Sequence, residues 1–258
     1  MNRIIVVVGL VVVFGAALFV VQGQSEKSLT VTSTAHAEVI EKSSTQHDKK
    51  AEVMAKDSVK SAAKTMLVQE GRHYQLIENP MPEEVPGKIV VTEIFSYSCP
   101  HCYNFHPLFE RWKQGLSDDV AFRYIHSDWG GKAGKIYANI FYVEQQLGLV
   151  DEMHDAVYDR IHKKRLPLLS TKTIAKFFAQ YGVDSETFNQ LFNSFGSHTA
   201  LKRSVNKIAH SGVTGTPSLV VNGRYLVVGP AIKKFDDMLK VAGALIEKER
   251  QRLVSNAQ

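Results

Sequence analysis

Cysteine is nearly absent: Cys99 and Cys102 are the only two in 258 residues. Two cysteines exclude a disulfide framework, a four-cysteine zinc site and a cysteine-ligated iron–sulfur cluster. Charge of one sign is scarce as well. Lys and Arg number 31 against 26 Asp and Glu, and no basic block exceeds Lys163-Lys164-Arg165. A net charge of +5 spread in this way is not the footprint of a nucleic-acid binder. Aromatic residues are missing between Phe19 and Tyr74, and Gly and Pro between Gly23 and Gly71. Residues 24–68 carry 12 Ser/Thr and near-balanced charge, a composition that cannot bury enough apolar surface to fold alone.

The chain opens Met-Asn-Arg and then runs uncharged from Ile4 to Val21. A basic residue followed by 18 apolar ones is a membrane-targeting segment. Val21-Gln22-Gly23 has small or modest residues at cleavage spacing, yet the run is long enough to approach the thickness of a bilayer. Residues 1–23 are therefore a signal peptide or a retained anchor, with the anchor favoured. Residues 24–68 read as a polar linker, although Ala51, Ala55, Val59 and Ala62 have the spacing of a helix over 48–66. Membrane contact is expected only through residues 4–21.

From Gly71 the texture is globular. Tyr74–Ile77 is a short strand candidate. Lys88–Phe95 is a continuous β-branched and aromatic run, the pattern of a strand buried on both faces. A helical pattern follows to about Leu116, and Val120–His126 alternates as another strand. Only helical periods then appear, at Ile136–Leu147, Asp151–His162, Thr171–Gln180 and Asp184–Ser194. Pro217–Val221 and Tyr225–Val228 flank Asn222-Gly223-Arg224, a hairpin signal. Ala231–Leu253 closes the chain as a helix. The order predicts an α/β domain over 69–128 and 205–258, with an all-helical subdomain inserted at 129–204.

Cys99-Pro100-His101-Cys102 stands where the buried strand gives way to the helix. Unpaired backbone N–H groups and the positive helix end favour a thiolate at Cys99. Pro100 suits the first turn, where its missing N–H has no intrahelical partner. Cys102, three residues on, lies on the same face and can close a small disulfide ring. His101 adds a donor or a positive charge beside Cys99. A stabilised thiolate is a good leaving group, which makes the disulfide form an oxidant. Haem attachment of the c type would need His where Tyr103 stands, and the histidines show no zinc spacing, so no metal is expected. Tyr137, Phe141, Tyr142, Phe177, Phe178, Phe188, Phe192 and Phe195 fall at helical spacing and are expected in the core of the insert. Glu93 interrupts the apolar run on the parity of Val91 and Phe95. A carboxylate there needs a partner, for which Arg123 on the next strand is a candidate, or a raised pKa.

Cys-Pro-His-Cys after an apolar strand, a helical insertion and a later Gly215-Thr216-Pro217 before a hairpin resembles the DsbA family of periplasmic thiol oxidases. The resemblance spans about Glu70 to Arg252 and includes Glu93-Ile94-Phe95-Ser96, Gly130-Gly131 and Val221-Asn222-Gly223-Arg224-Tyr225. It implies a thioredoxin-like fold with an inserted helical subdomain, and a catalytic Cys99–Cys102 disulfide assisted by Pro100 and His101. It also implies a cis-proline at Pro217, with the Thr216 backbone binding substrate, and proton transfer to Cys102 supported by Glu93. Family members often carry Val before this proline, and many carry Lys where this chain has Arg123. The implied activity is disulfide donation to unfolded or reduced exported proteins, with reoxidation by a quinone-linked membrane oxidase of the DsbB type. No cofactor is implied beyond the disulfide itself. The implied site of action is the periplasm, as a soluble protein after signal cleavage or on an inner-membrane anchor. A dimeric isomerase or reductase of the same fold is the alternative activity, with 48–66 as its self-association helix. A metal-holding or client-binding module without redox activity is the non-enzymatic one.

Overall fold

A computed structural model describes residues 66–80 and 85–256. The targeting segment 1–23, and the linker 24–68 and candidate helix 48–66 as far as residue 65, lie outside the described residues. Among the described residues no helix is long and apolar enough to cross a membrane.

The Ile89–Phe95 run forms strand β2, and all seven of its residues are buried. Its apolar continuity is explained by its central place in a five-stranded sheet of order β1-β5-β4-β2-β3. The other strands are β1 (Gln75–Leu76), β3 (Val120–His126), β4 (Ser218–Val221) and β5 (Tyr225–Leu226). β2 pairs parallel with β3, from Ile89↔Val120 to Phe95↔His126, and antiparallel with β4. The parallel pair needs a crossover, and helix α1 (Pro100–Gln114) supplies it.

Side-chain alternation sorts the sheet into two faces. Ile89 and Val91 share one face with Leu219 and Val221, and pack on Phe105 and Phe109 of α1. Val241, Ala242 and Leu245 of the C-terminal helix α7 (Phe235–Asn256) complete this layer. Each such side chain, fully buried, contributes on the order of 1.5–3 kcal/mol for Val, Leu, Ile or Phe. On the opposite face Ile94, Ile125 and Val220 meet Ile208 and Val213.

The helical insert comprises α2 (Gly131–Leu147), α3 (Val150–Tyr158), α4 (Thr171–Phe178), α5 (Ser185–Phe192) and α6 (Phe195–His210). A π-helical turn, Asp159–Lys163, extends α3, and a 3₁₀ turn, Ala179–Tyr181, extends α4. Caps fix several starts: Asp184 accepts from the Glu186 and Thr187 N–H groups at 2.9 Å, and Ser194 from Ser197 at 3.1 Å. Such caps contribute about 1 kcal/mol each. Helix α6 was not among the predicted helices. Its buried residues are only Ser197, Ser204 and Ile208, too few apolar positions to show a helical period. It continues unbroken past residue 204, where the expected edge of the insert falls. Phe195, expected in the core, is instead 86% exposed, because it is the first residue of α6 and points outward from the Ser194 cap.

The Asn222-Gly223 turn has positive φ at both residues, 51° and 62°. Asn222 also ties three elements together: Val90 N–H donates to its Oδ1, and its Nδ2 donates to Glu249 of α7 at 2.7 Å. Glu249 further accepts from the Tyr225 hydroxyl at 2.7 Å and from Arg252. Helix α7 begins at Phe235 rather than Ala231, because Asp237 accepts from the Lys233 and Lys234 N–H groups and closes the preceding turn.

Candidate active site

Cys99 is the N-cap residue of α1, with Pro100 in the first turn, and its N–H donates to the Ser96 carbonyl at 3.0 Å. It stands half-buried, and its Sγ lies 3.5 Å from the Thr216 carbonyl oxygen. The Thr216-Pro217 peptide is cis, as the resemblance implied. The thiol of Cys102 does most to hold the Cys99 pKa down to about 5. Hydrogen bonding from the Thr216 side chain and from the Cys102 and His101 backbone N–H groups adds to this, against a burial that works upward. His101 itself is exposed, and what it brings to Cys99 here is its backbone N–H.

Cys102 is the opposite case. It is fully buried within the aromatic core of the insert, beside Phe95 and Tyr97. Burial first, then the Cys99 side chain and the charge of Glu93, push its thiol far above the ordinary range. One end of the couple is thus held as an anion near solvent, and the other as a thiol away from it.

Glu93 is 1% exposed, and neither carboxylate oxygen has a hydrogen-bond partner. Burial raises its pKa to about 8, with Glu110 pushing the same way and Lys113 pulling it down. The expected partner Arg123 does not fill this role, because the β2–β3 register sets Arg123 beside Thr92 and sets Tyr124 beside Glu93. The cation acting on Glu93 is Lys113, from the helix rather than the strand. Lys113 Nζ donates to Glu110 at 2.9 Å and to the Tyr124 hydroxyl at 2.8 Å, and that hydroxyl donates to Glu110 at 2.5 Å. Burial works upward on Glu110, but the bonds from Tyr124 and Lys113 outweigh it and hold its carboxyl below the ordinary value. A cavity of about 220 Å³ opens here, lined by Glu110, Lys113, Tyr124, His106, His154 and Asp155 among others. Sequence reasoning did not single out Glu110, Lys113 and Tyr124. A readable signal existed, since Cys102, His106, Glu110 and Lys113 are spaced four, four and three apart, one face of a helix.

Further contacts through Tyr97 hold the loop before Cys99. The Tyr97 N–H donates to Nε2 of His126, whose Nδ1 binds the Ser127 carbonyl at 2.6 Å. Burial drives the His126 pKa down to about 3, so the neutral ring is a fixed bracket. The Tyr97 carbonyl in turn accepts from His162 Nε2 at 2.7 Å, and the His162 ring stacks on Tyr103 at 4.9 Å. His162 belongs to the π-helical turn, which aims it at this loop. The Tyr97 hydroxyl donates to buried Glu144 at 2.5 Å and meets His154 Nδ1 at 3.0 Å.

The arrangement is that of a thiol–disulfide exchange centre: a reactive sulfur at a helix N-terminus, a buried partner sulfur, and a protonatable carboxyl behind it. Comparisons with known proteins point the same way. Residues 90–240 match the family described as DSBA-like thioredoxin domain. The chain is 36% identical over 180 residues to the thiol:disulfide interchange protein DsbA of Pseudomonas aeruginosa, covering 70% of this chain and 85% of that one. It is 33% identical over 180 residues to the protein of the same name from Azotobacter vinelandii, covering 70% and 84% of the two chains. The crystal structure of Pseudomonas aeruginosa DsbA superposes with a TM-score of 0.66 at 34% identity, covering 72% of this chain and 96% of that one. That of the oxidoreductase DsbA from Xylella fastidiosa gives 0.67 at 31% identity, covering 72% and 99%.

Proposed function

This chain belongs to the DsbA family of protein disulfide oxidoreductases, and from that premise we propose that it works as an oxidase of exported proteins. A client thiolate attacks Cys99 Sγ of the Cys99–Cys102 disulfide. The S–S bond breaks, its electron pair goes to Cys102 Sγ, and the client is held by a mixed disulfide on Cys99. A second client thiolate attacks the client sulfur of that bond and expels Cys99 as a thiolate. The client leaves with a new disulfide and the enzyme holds two reduced sulfurs. Electrons then pass to a quinone-linked membrane oxidase of the DsbB type, and the only redox group required is the disulfide itself.

The observation that carries this reading is the contrast between the sulfurs: Cys99 half-buried with a pKa near 5, Cys102 buried and held as a thiol. Stabilising the Cys99 thiolate favours the reduced form and makes the disulfide oxidising. Cys102 needs a proton when its bond breaks, and Glu93, with a pKa near 8, is protonated at neutral pH and available to give it. Glu110 and Lys113, whose charges act on Glu93, line a cavity, and the proposed replacement of the Glu93 proton from solvent is through it. Cis-Pro217 and the Thr216 carbonyl stand beside Cys99, where an extended client backbone would pair. The membrane-targeting residues 4–21 support action in the periplasm, either soluble after cleavage or on an anchor.

Titration of thiolate absorbance in the reduced protein tests the reading directly. A transition near pH 5, absent from Cys99→Ser, is the expected result, together with rapid oxidation of reduced ribonuclease. A Cys99 transition near the ~8.5 of a free thiol overturns the oxidase reading. A protein that reshuffles scrambled ribonuclease faster than it oxidises the reduced form is the dimeric isomerase or reductase instead.

A further inference from the structure

Tyr158 closes α3 and is 1% exposed, yet its hydroxyl has no hydrogen-bond partner. A buried hydroxyl left bare costs stability, because water would have satisfied it. Phenylalanine would fill the same space without that cost, so the oxygen needs a reason. Its neighbour Tyr97 shows the ordinary case: the two rings lie 5.1 Å apart, and the Tyr97 hydroxyl donates to Glu144 and meets His154. The surroundings of Tyr158 supply the reason. Its ring packs on Phe95 at 6.3 Å, and Phe95 shares a face of β2 with Glu93, two residues earlier. It also lies 5.4 Å from His106, one turn along α1 from Cys102 and on the same face. Phe95, Cys102 and Tyr158 belong to one buried cluster. Burial first, then the charges of Glu93 and Cys102, hold the hydroxyl well above the ordinary tyrosine range, so it keeps its proton. Both oxygens of Glu93 are bare as well. A hydroxyl hydrogen with no fixed partner is free to rotate towards whichever neighbour is charged.

We propose that Tyr158 supports the exchange reaction: its hydroxyl is kept free so that it can turn towards the negative charge as this passes from Cys102 to Glu93. The proposal rests on the reading of Glu93 as the proton source. When the client thiolate attacks Cys99, the electron pair of the S–S bond leaves on Cys102 Sγ. Glu93 then gives its proton to that sulfur and becomes a carboxylate. Both charges are brief and both form in a dry core, where an O–H dipole acts with little screening. A hydroxyl bonded elsewhere, as that of Tyr97 is, would first have to break its bond. The Tyr158 hydroxyl transfers nothing itself. It lowers the energy of the charge on each group in turn, and the resting protein bears the cost of leaving it bare.

The test is Tyr158→Phe in the full chain, beside Tyr97→Phe and Glu93→Gln. A cysteine-bearing peptide at pH 7 is expected to reduce oxidised Tyr158→Phe about tenfold more slowly than the parent, less than the loss of a donor in direct contact. Its melting temperature is expected to equal or exceed that of the parent, since only an unpaired oxygen is removed, whereas Tyr97→Phe melts lower. Its Glu93 carboxyl, followed by carbon chemical shift, is expected to titrate above the parent's pH of about 8, because the carboxylate has lost a donor dipole. A Tyr158→Phe protein that exchanges at the parental rate overturns the proposal. So does one that melts lower, which gives the hydroxyl a structural partner, or one whose Glu93 titration is unmoved. A slow Glu93→Gln beside a fast Tyr158→Phe removes only Tyr158 and leaves Glu93 as the proton source. Parental rates in both variants overturn the reading of Glu93, and this proposal with it.

Discussion

Glu93 and Glu249 are both buried carboxylates packed against the same face of one sheet, and they behave in opposite ways. Glu249, between the hairpin and α7, accepts from Asn222, Tyr225 and Arg252, and these bonds outweigh its burial and hold its pKa below the ordinary value. Glu93, between β2 and α1, accepts from nothing, and burial lifts it to about 8. Burial alone therefore does not decide what a carboxylate does. With donors around it, the group is a charged clasp that ties the C-terminal helix to the sheet. Without them it is a neutral acid, which costs stability whenever it ionises but holds a proton at neutral pH. The clasp lies at the far end of the hairpin from cis-Pro217, while the charge of the bare acid acts on Cys102, where the proposed exchange consumes a proton.

The largest effect expected from breaking this contrast is at the clasp. Glu249→Leu removes the common acceptor of three donors and is expected to cost about 3–5 kcal/mol. At roughly 2–4 °C per kcal/mol for a chain of this size, urea and thermal unfolding will show it plainly, while the redox potential stays unchanged. Glu93→Gln is expected to do the reverse. Its folded pKa is raised above the 4.5 of the unfolded chain, so the stability it brings is fully present below pH 4.5 and is lost as pH rises towards 8. Relative to pH 4.5, the variant therefore gains about 3 kcal/mol at pH 7 over the parent. Its exchange with client thiols slows, on the order of tenfold or more, because Cys102 loses its proton source. A Gln variant that is less stable at pH 7 would erase the distinction. The smallest effect is at Lys113. Lys113→Met removes the charge that pulls Glu93 downward, so the Glu93 carboxyl is expected to titrate above pH 8, read by carboxyl carbon chemical shifts, with less than about 1 kcal/mol of stability change for this partly exposed pair.

Much of this was visible in the chain itself. A β-branched run closed by Cys-Pro-His-Cys announces a buried strand feeding a helix, and β2 and α1 form as read. Asn222-Gly223 announces the hairpin. The failures have physical causes. Tyr74–Ile77 and Tyr225–Val228 shrink to two-residue strands, since the edge of the sheet holds only the pairs Gln75↔Leu226 and Leu76↔Tyr225. Helix α6 hides because it buries serines rather than a stripe of apolar residues. Arg123 is near Glu93 in strand order, but the parallel register puts it one residue out of step, beside Thr92. Lys113 enters from a helix packed above; its spacing from Cys102 marks the helix face it shares, but not the strand which that face covers.

The π-helical turn at Asp159–Lys163 bears on how this protein can change over generations. Its wide turn closes with the Lys164 N–H on the Asp159 carbonyl, five residues back, where an α-helix would reach only four. One residue fewer would tighten the turn into ordinary helix and swing every following side chain by about 100°. His162 would leave the Tyr97 carbonyl, and the loop carrying Cys99 would lose that support. Substitutions at exposed Lys163 and Lys164 that keep a backbone N–H leave this geometry intact, and Arg165, at a φ of 55°, suits Gly or Asn as well, so spelling here has room to drift while the number of letters has none.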